Sequence, residues 1–405
     1  MEKNTYIIPS PQGELIYAPL SRFLCKLSDF DSSLGIPPAI YDMSDCMAHS
    51  QRWGHIVVIP TQICNLNCSY CYAIQAHSGK TIDKSKLQVA YDFFLSQDQV
   101  THKTVSFLGG GEPLVAWDVV EWSITYLEKN KRRNDIISYA ITTNATLLDA
   151  TKIEFLKKYN VYLEISFDIL RDIQDNQRPF LHSSSSSFDR VIKSLSLMDD
   201  SDLQYTVRST ITPQVVKRMP EMVKSLSKYR GVTAIKLEPV TAYKNIDADF
   251  YDAYTDSFGE ARRIGKSLSM TVTNSIVSSV DTIKDIFCIG DFCVTADGEI
   301  SACHRNTSLK DSHFDLCHIG SITEHVEINQ DKLKHFIETS KCFERCESCY
   351  GRWHCAGFCM MEWVNLSKKE INAKCDFIRE NIRRRLIEIY DSMAESEKPQ
   401  KSRNN

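Results

Sequence analysis

The stretch HIVVIPTQICNLNCSYCYA, residues 55–73, joins a short apolar run to three cysteines within eight residues. The run HIVVIP has the length and β-branched content of a buried strand. Cys64, Cys68 and Cys71 follow on a predicted irregular loop at the strand end. Thiolates bind zinc or iron–sulfur clusters. A structural zinc site is closed by four ligands, and the next cysteine is Cys288. Three ligands therefore indicate a metal centre with one open position.

The composition of the chain is that of a globular protein. It has 405 residues, 42% of them hydrophobic and 25% charged, and a net charge of −4. This length allows two or three domains, and this charge gives no sign of a nucleic-acid partner. No apolar run approaches the roughly 18 residues of a membrane span. The segment MEKNTYIIPSPQGE lacks the apolar core of a secretion signal. We therefore expect a cytoplasmic protein without a nucleic-acid or membrane partner.

The 15 cysteines are unevenly placed, and ten of them fall between Cys288 and Cys375. In a reducing compartment, clustered cysteines more often bind metal or do redox chemistry than form disulfides. The opening loop and the C-terminal region therefore predict two separate metal-ligand regions. Cys25 and Cys46 stand apart from both, and we expect them to be small buried hydrophobic residues.

From residue 54, short apolar runs alternate with amphipathic segments, and six predicted strands are complete by residue 240. Repeated β–α units indicate a parallel sheet, here a full or partial barrel. Active sites of such sheets lie at the carboxyl ends of the strands. The cysteine loop, GGGEP (109–113) and TTNATLL (142–148) all follow predicted strands. We therefore expect the site at this end of the barrel.

Four segments are predicted along the chain. Residues 1–50 contain two β-rich runs around a Pro/Gly turn, which indicates a β-hairpin that either docks a partner or covers the barrel mouth. Residues 51–280 form the barrel and residues 281–380 a cysteine-rich domain. Residues 381–405 hold the end of an amphipathic helix, with Ile382, Leu386 and Ile389 on one stripe, and a tail, AESEKPQKSRNN, that we expect to be disordered.

The pattern Cys-x3-Cys-x-Tyr-Cys after a first strand resembles the radical S-adenosylmethionine (SAM) enzymes. The resemblance implies a partial (β/α)6 TIM-like barrel and a [4Fe–4S] cluster on Cys64, Cys68 and Cys71. The free iron would chelate SAM. An electron, supplied by a donor of the flavodoxin or ferredoxin type, would split SAM into methionine and a 5′-deoxyadenosyl radical that takes hydrogen from the substrate.

The same resemblance implies SAM contacts at successive strand ends. They are Tyr70, Gly109, Gly110, Gly111, Glu112, Asn144, Ser166 and Arg208. Ala145 stands where the family has glycine. No residue is assigned as a catalytic acid or base. For Asp168, at the end of the fourth strand, a helix cap or a solvent contact is the simpler expectation.

The C-terminal cysteines resemble the SPASM extension of radical SAM enzymes. The spacing is Cys-x9-Gly-x4-Cys from Cys288, then Cys-x2-Cys-x5-Cys-x3-Cys from Cys346, then Cys375. The resemblance implies two auxiliary [4Fe–4S] clusters, three clusters in all. Auxiliary cluster I would use Cys288, Cys303 and Cys359, and auxiliary cluster II would use Cys346, Cys349, Cys355 and Cys375. Cluster I lacks a fourth ligand. Either its iron is open to a substrate group, or one of three spare cysteines completes it: Cys293, Cys317 or Cys342.

The resemblance implies a maturase of a ribosomally made peptide that forms an oxidative cross-link, either a thioether, a C–C bond or a C–O bond. A precursor peptide would be the substrate, and a separate protein could bind its leader. One alternative is an anaerobic sulfatase-type maturase that makes formylglycine. An alternative of another class is a non-catalytic zinc-ribbon scaffold, which leaves the three-cysteine loop unexplained.

Overall fold

The structure, a computed structural model, describes residues 4–41, 53–73, 79–241, 246–340, 344–364 and 366–396. Cys46, Cys342 and residues 397–405 of the predicted tail lie outside these ranges.

The N-terminal part of the described chain is a three-stranded antiparallel sheet in the order β1-β2-β3. Its strands are β1 (Tyr6–Ser10), β2 (Gly13–Ala18) and β3 (Phe23–Lys26). The predicted hairpin is β1 and β2. Strand β3 has four residues, of which only Leu24 is buried, so its sequence shows no clear alternation of apolar and polar residues. Cys25 in β3 is partly exposed, so the expectation that it is buried is wrong.

This sheet is anchored to the C-terminal part of the chain. The Trp353 indole N–H donates to Asn4 Oδ1 at 3.3 Å, and the Arg383 guanidinium donates to the Pro9 carbonyl at 2.9 Å. The Tyr17 hydroxyl is hydrogen-bonded to His354 Nε2. The first and last segments of the described chain therefore pack together.

Six parallel strands form the barrel wall, and each pairs with the next in chain order. They are β4 (His55–Val58), β5 (His102–Phe107), β6 (Ile136–Thr143), β7 (Tyr162–Ser166), β8 (Tyr205–Ile211) and β9 (Val232–Pro239). A short seventh parallel strand, β10 (Thr271–Thr273), pairs with β9. The predicted α/β class and partial (β/α)6 barrel are confirmed.

Helices follow the strands of the wall. They are α1 (Lys84–Leu95), α2 (Trp117–Asn130), α3 (Ala150–Lys158), α4 (Arg171–Gln177), α5 (Ser187–Asp200), α6 (Met219–Leu226), α7 (Ala248–Ser267) and α8 (Ser275–Ser279). Asp83, Asp149 and Asp247 cap α1, α3 and α7, each accepting from a first-turn backbone N–H. Such caps satisfy donors that the helix leaves unpaired.

Successive side chains of the wall alternate between two faces. Leu163, Ile165 and Val207 are buried in the main hydrophobic core. On the other face Glu164 accepts from Arg208 at 3.2 Å and from Lys236 at 2.5 Å. The inner face is therefore charged along β7, β8 and β9, while the outer face buries apolar surface.

The C-terminal region continues the same sheet. Strand β11 (Phe292–Val294) pairs in parallel with β4, and β12 (Glu299–Ser301), β13 (His318–Ile322) and β14 (Val326–Ile328) follow antiparallel. The sheet thus has no break at the predicted boundary, residue 280.

The remaining helices lie around the cysteine-rich region. They are α9 (Phe314–Cys317), α10 (Gln330–Thr339), α11 (Arg352–Cys355), α12 (Met360–Trp363) and α13 (Lys368–Ser396). Helix α13 runs unbroken across residue 380, where a boundary is predicted, and it includes the first three residues of the predicted disordered tail. Of the described helices, none is both long and apolar enough to cross a bilayer.

Candidate active site

The loop after β4 is held by backbone hydrogen bonds on two sides. Gly111 N–H donates to the Thr61 carbonyl and Glu112 N–H to the Ile63 carbonyl, both at 2.9 Å. Further along, Asn67 N–H donates to the Pro179 carbonyl at 2.8 Å. The loop is therefore clamped between the end of β5 and the segment after α4.

The three thiols of this loop lie close enough to affect one another. Burial, together with smaller effects of Glu112, Cys68 and Cys71, raises the pKa of Cys64 to about 12. Burial raises the pKa of Cys68 to about 11, although Arg178 opposes this rise. Without a metal, Cys64 and Cys68 are therefore neutral at physiological pH, and metal binding requires deprotonation of the thiols.

The chemistry of this donor set suits an iron–sulfur cube. Within the described ranges, no three Cys, His, Asp or Glu side chains converge tightly enough to hold a single metal ion. A cube with four irons is larger than one ion, so its cysteine sulfurs stand further apart. Three thiols on an irregular loop, near enough to affect one another electrostatically, fit such a cluster.

Asp168 is a buried hub beneath the cysteine loop. Its carboxylate is 0% exposed and forms an ion pair with Arg178 at 3.1 Å. It also accepts from the Tyr70 hydroxyl at 2.6 Å, Ser209 Oγ at 3.0 Å and Gln177 Nε2 at 3.0 Å. The expectation of a helix cap or solvent contact is wrong, because the carboxylate is fully buried and bound by these side chains. One of its hydrogen bonds holds the Tyr70 ring in place.

Glu112 and Asn144 tie two strand ends to the cysteine loop. The buried Glu112 carboxylate accepts from Leu114 N–H at 3.0 Å, Thr143 Oγ1 at 2.5 Å and Asn144 N–H at 2.7 Å. Burial raises the pKa of Glu112. The Asn144 side chain donates to Asn65 Oδ1 at 2.9 Å. The geometry thus shows both residues positioning the loop.

Ala145 keeps the backbone conformation that glycine would adopt most easily. Its φ is 59°, in the left-handed region, and its side chain is fully buried. Such a conformation costs a non-glycine residue roughly 1–2 kcal/mol. Alanine at this position therefore adds local strain, but the backbone still adopts the left-handed conformation that glycine would allow.

The glycines after β5 pack against the cysteine loop itself. Gly109 and Gly110 have φ values of 73° and 62°. A Cβ at Gly111 would lie 2.1 Å from the Ile63 carbonyl oxygen. Close approach to the loop backbone is thus sufficient reason for glycine here, whatever else this turn contacts.

Replacing Gly111 with alanine should displace the cysteine loop. We expect a loss of roughly 1–3 kcal/mol in the free energy of unfolding from overpacking, with poorer iron incorporation after reconstitution. Denaturant unfolding and iron analysis measure both. The matched control is Gly259→Ala in α7, where a Cβ meets only the Arg384 guanidinium at 3.3 Å. Helix propensity predicts that this variant is as stable as the parent or up to about 1 kcal/mol more stable. Equal behaviour of the two variants would contradict the packing argument.

Ser166 and Arg208 lie side by side on neighbouring strands. They are opposite each other in the register of β7 and β8, and Arg208 is opposite Lys236 in the register of β8 and β9. Glu238 and Glu164 raise the pKa of Arg208 against the effect of burial. A fixed positive charge therefore sits on the inner face near the strand ends.

Four cysteines of the C-terminal region line one pocket. They are Cys346, Cys349, Cys355 and Cys375. Burial, together with smaller effects of the other three thiols, raises the pKa of Cys355 to about 12. The residues predicted for auxiliary cluster II are thus brought together, with Cys375 supplied by α13.

A second thiol group forms around Cys303. Burial, together with smaller effects of Asp291, Cys303 and Cys359, raises the pKa of Cys288 to about 12. The neighbouring Cys317 thiol lowers the pKa of Cys303 to about 6. The three residues predicted for auxiliary cluster I therefore lie together, with Cys317 among them.

Two arginines near the cysteines are not predicted from the sequence. The Arg178 guanidinium lies over the Tyr70 ring, 5.2 Å from its centroid. Arg305 lies over the Tyr72 ring at 5.2 Å and donates to Thr241 Oγ1 at 2.7 Å. Arg305 follows Cys303 by two residues, a weak signal, whereas nothing in the sequence links Arg178 to the loop.

Known proteins resemble the chain over the barrel and beyond it. Residues 58–226 match the model of the radical SAM superfamily. A protein of Methanocaldococcus jannaschii is 31% identical over 184 residues, which are 45% of this chain and 62% of that protein. The chain thus spans less than two thirds of this relative.

Two further relatives are enzymes. The radical SAM cyclopropyl synthase TigE of Paramaledivibacter caminithermalis is 23% identical over 364 residues, 82% of this chain and 74% of that enzyme. A cysteine-type anaerobic sulfatase-maturating enzyme of Clostridium novyi is 22% identical over 315 residues, 71% of this chain and 82% of that enzyme.

Solved structures share the fold. Native anSMEcpe with bound AdoMet and Kp18Cys peptide has a TM-score of 0.69 at 18% identity, over 84% of this chain and 99% of that chain. Streptococcus suis SuiB bound to precursor peptide SuiA has a TM-score of 0.55 at 12% identity, over 91% of this chain and 97% of that chain. Residues 58–226 therefore match a radical SAM domain, and the chain is similar to radical SAM enzymes over this range and beyond it.

Proposed function

We propose that this enzyme is a maturase that forms an oxidative cross-link in a ribosomally made peptide. The observation that carries the proposal is the pair of thiol groups outside the SAM loop, around Cys303 and around Cys355. Three [4Fe–4S] clusters are proposed, one on the loop and one on each thiol group. When bound, SAM and its cluster supply a radical that abstracts a substrate hydrogen atom, and an auxiliary cluster accepts the electron left over when the new bond forms.

The chain's own residues position the reactants and exclude water. The charged inner face, with Glu164, Arg208 and Lys236, suits the ionic groups of SAM or of a peptide. Val57 and Ile59 provide a buried apolar wall beside the cysteine loop. Exclusion of water protects a reactive intermediate from side reactions. The proposed SAM contacts are Tyr70, Gly109, Gly110, Gly111, Glu112, Asn144, Ser166 and Arg208.

A peptide partner is supported by two proteins of the same fold. SuiB is bound to its precursor peptide, and anSMEcpe to a peptide as well as AdoMet. We propose a precursor peptide as substrate, an electron donor of the flavodoxin or ferredoxin type, and a cytoplasmic setting that keeps the 15 cysteines reduced. A separate protein is proposed to bind the leader. The chain is proposed to divide into four segments, at residues 50, 280 and 380.

Mass spectrometry of the product tests the proposal. A candidate precursor peptide, sought among short coding sequences beside the gene, is co-expressed anaerobically with the enzyme, and the triple variant Cys64→Ala/Cys68→Ala/Cys71→Ala is the control. We expect a product that has lost two hydrogens per cross-link, with fragmentation suppressed between the joined residues. A peptide left unchanged by the parent enzyme, while SAM is cleaved, would contradict cross-linking of that peptide.

A second candidate function is oxidation of Ser or Cys to formylglycine, favoured by similarity to the sulfatase-maturating enzyme. Oxidation of Ser also removes two hydrogens, so mass alone does not separate the two functions. A hydrazide reagent does, because it labels the aldehyde of formylglycine and leaves a cross-link unmodified. The zinc-ribbon alternative does not account for the family match over residues 58–226.

A further inference from the structure

The open question about auxiliary cluster I concerns its fourth ligand, and the position of Cys317 bears on it. Cys317 is the last residue of α9 and directly precedes β13. In the β12–β13 ladder Ser301 is the partner of His318, and Ala302 N–H donates to the Cys317 carbonyl at 2.7 Å. The ladder therefore sets Cys317 beside Ala302, the residue before Cys303.

The neighbouring segments bring the other thiols to the same place. Asp291 N–H donates to the Ala302 carbonyl at 2.8 Å, and this bond holds the segment that follows Cys288. On the other side, Cys317 Sγ lies 3.8 Å from the sulfur of Met361, two residues after Cys359. Three separate segments thus meet around Ala302 and Cys317.

The Cys317 side chain points into this meeting point. It is 0% exposed, and Cys303, Cys288 and Cys359 all lie close enough to raise the pKa of its thiol. A buried thiol beside the three thiols of a predicted cluster has the donor atom and the position that a ligand needs.

The other described spare cysteine is placed differently. Cys293 in β11 packs in a small apolar cluster with Val57, Ile59 and Leu108. Its neighbours along the strand, Phe292 and Val294, belong to the opposite face and the main core. Burial chiefly raises the pKa of the Cys293 thiol and Cys303 adds to this rise, but Cys288 and Cys359 do not act on it. Cys293 therefore lies near one of the three predicted ligands and provides a matched control.

We propose that Cys317 is the fourth ligand of a [4Fe–4S] cluster held by Cys288, Cys303 and Cys359. This inference rests on the proposed function, because it assumes that auxiliary cluster I exists. Four cysteine ligands leave no iron free for a substrate group. Auxiliary cluster I then serves as an electron acceptor, and the substrate's thiolate or hydroxyl is positioned by protein groups.

The experiment uses the full chain with Cys64, Cys68 and Cys71 replaced by alanine, so that only auxiliary clusters contribute. This parent and its Cys317→Ala, Cys317→Ser and Cys293→Ala derivatives are reconstituted anaerobically. Iron is counted, and EPR spectra are recorded after reduction with and without 2-mercaptoethanol, and after oxidation. The serine variant keeps the size of the side chain in case the alanine variant folds poorly.

We expect the parent and Cys293→Ala to hold the same iron and to show EPR spectra that 2-mercaptoethanol does not change. Both Cys317 variants should lose about one iron atom per chain on oxidation, with a [3Fe–4S] signal, because the unligated corner is labile. In the reduced state, 2-mercaptoethanol should change the spectrum of Cys317→Ala.

Two results would overturn the inference, and they have different meanings. If the parent binds iron for two clusters but the Cys317 variants match it, Cys317 is not a ligand and the proposed function stands. If the parent binds no more iron than one cluster requires, auxiliary cluster I itself is absent, and the proposed electron acceptor fails with its ligand.

Discussion

Replacing Cys64, Cys68 and Cys71 together with alanine is expected to reduce SAM cleavage to the background without enzyme. The reason is that the cluster's open corner exists only while three thiolates hold the other corners. Iron content should fall by about four atoms per chain, the content of one [4Fe–4S] cluster. Iron on the C-terminal thiols should remain, because they belong to other segments. Chromatography of 5′-deoxyadenosine and methionine, with iron analysis, measures both effects.

The control for this variant is Cys25→Ala. Cys25 lies partly exposed in β3, apart from the three thiol groups. It should keep full iron content and parental SAM cleavage. SAM cleavage that persists in the triple variant would show that the site is wrongly assigned. Loss of all iron would show instead that the three thiol groups are not independent.

Replacing Asp168 with alanine is expected to destabilise the barrel and loosen the cysteine loop. The change leaves Arg178 buried without its counter-charge and frees the Tyr70 hydroxyl. Breaking a buried ion pair from one side costs roughly 3–5 kcal/mol in the free energy of unfolding. Because Arg178 and Tyr70 flank Cys68, the SAM cluster should also be lost faster in air. Denaturant unfolding of the iron-free protein and the rate of bleaching measure the two effects.

An exposed ion pair provides the matched control. Asp172 pairs with Arg218 at 2.5 Å, with 68% of its side chain exposed. Asp172→Ala should cost less than about 1 kcal/mol, because water already screens this pair. Asp168→Asn should fall between the two, since it keeps the size of the side chain and one acceptor oxygen but neither the second acceptor nor the charge. An Asp168→Ala variant as stable as Asp172→Ala would contradict the role of the hub.

The barrel and the cysteine loop could be predicted because their signals are local. Alternating apolar and amphipathic runs mark each β–α unit, and Cys64 to Cys71 lie within eight residues of one loop. Glycine at 111 is also a local signal, although its contact with the Ile63 backbone is visible only in the structure. Signals of this kind depend only on residues that are close in sequence, so they can be recognised without knowing the tertiary structure.

The supporting contacts could not be predicted because they join distant segments. The pair of Asp168 and Arg178 has no spacing rule, and burial of the pair depends on the whole barrel. The position of Cys317 depends on the β12–β13 ladder, and β12 has only three residues, too few for a periodic signal. Strand β11 also has only three residues, and it pairs with β4, which lies more than 230 residues earlier in the sequence. Its pairing could not be predicted either.

The central claim is that the loop of Cys64, Cys68 and Cys71 holds a cluster with an iron open to SAM. EPR of the anaerobically reconstituted, reduced enzyme tests it most directly, with spectra recorded with and without SAM and with the triple alanine variant to identify auxiliary signals. We predict that SAM shifts the g values of one signal in the parent enzyme and of none in the variant. Parent spectra that are identical with and without SAM would contradict the account.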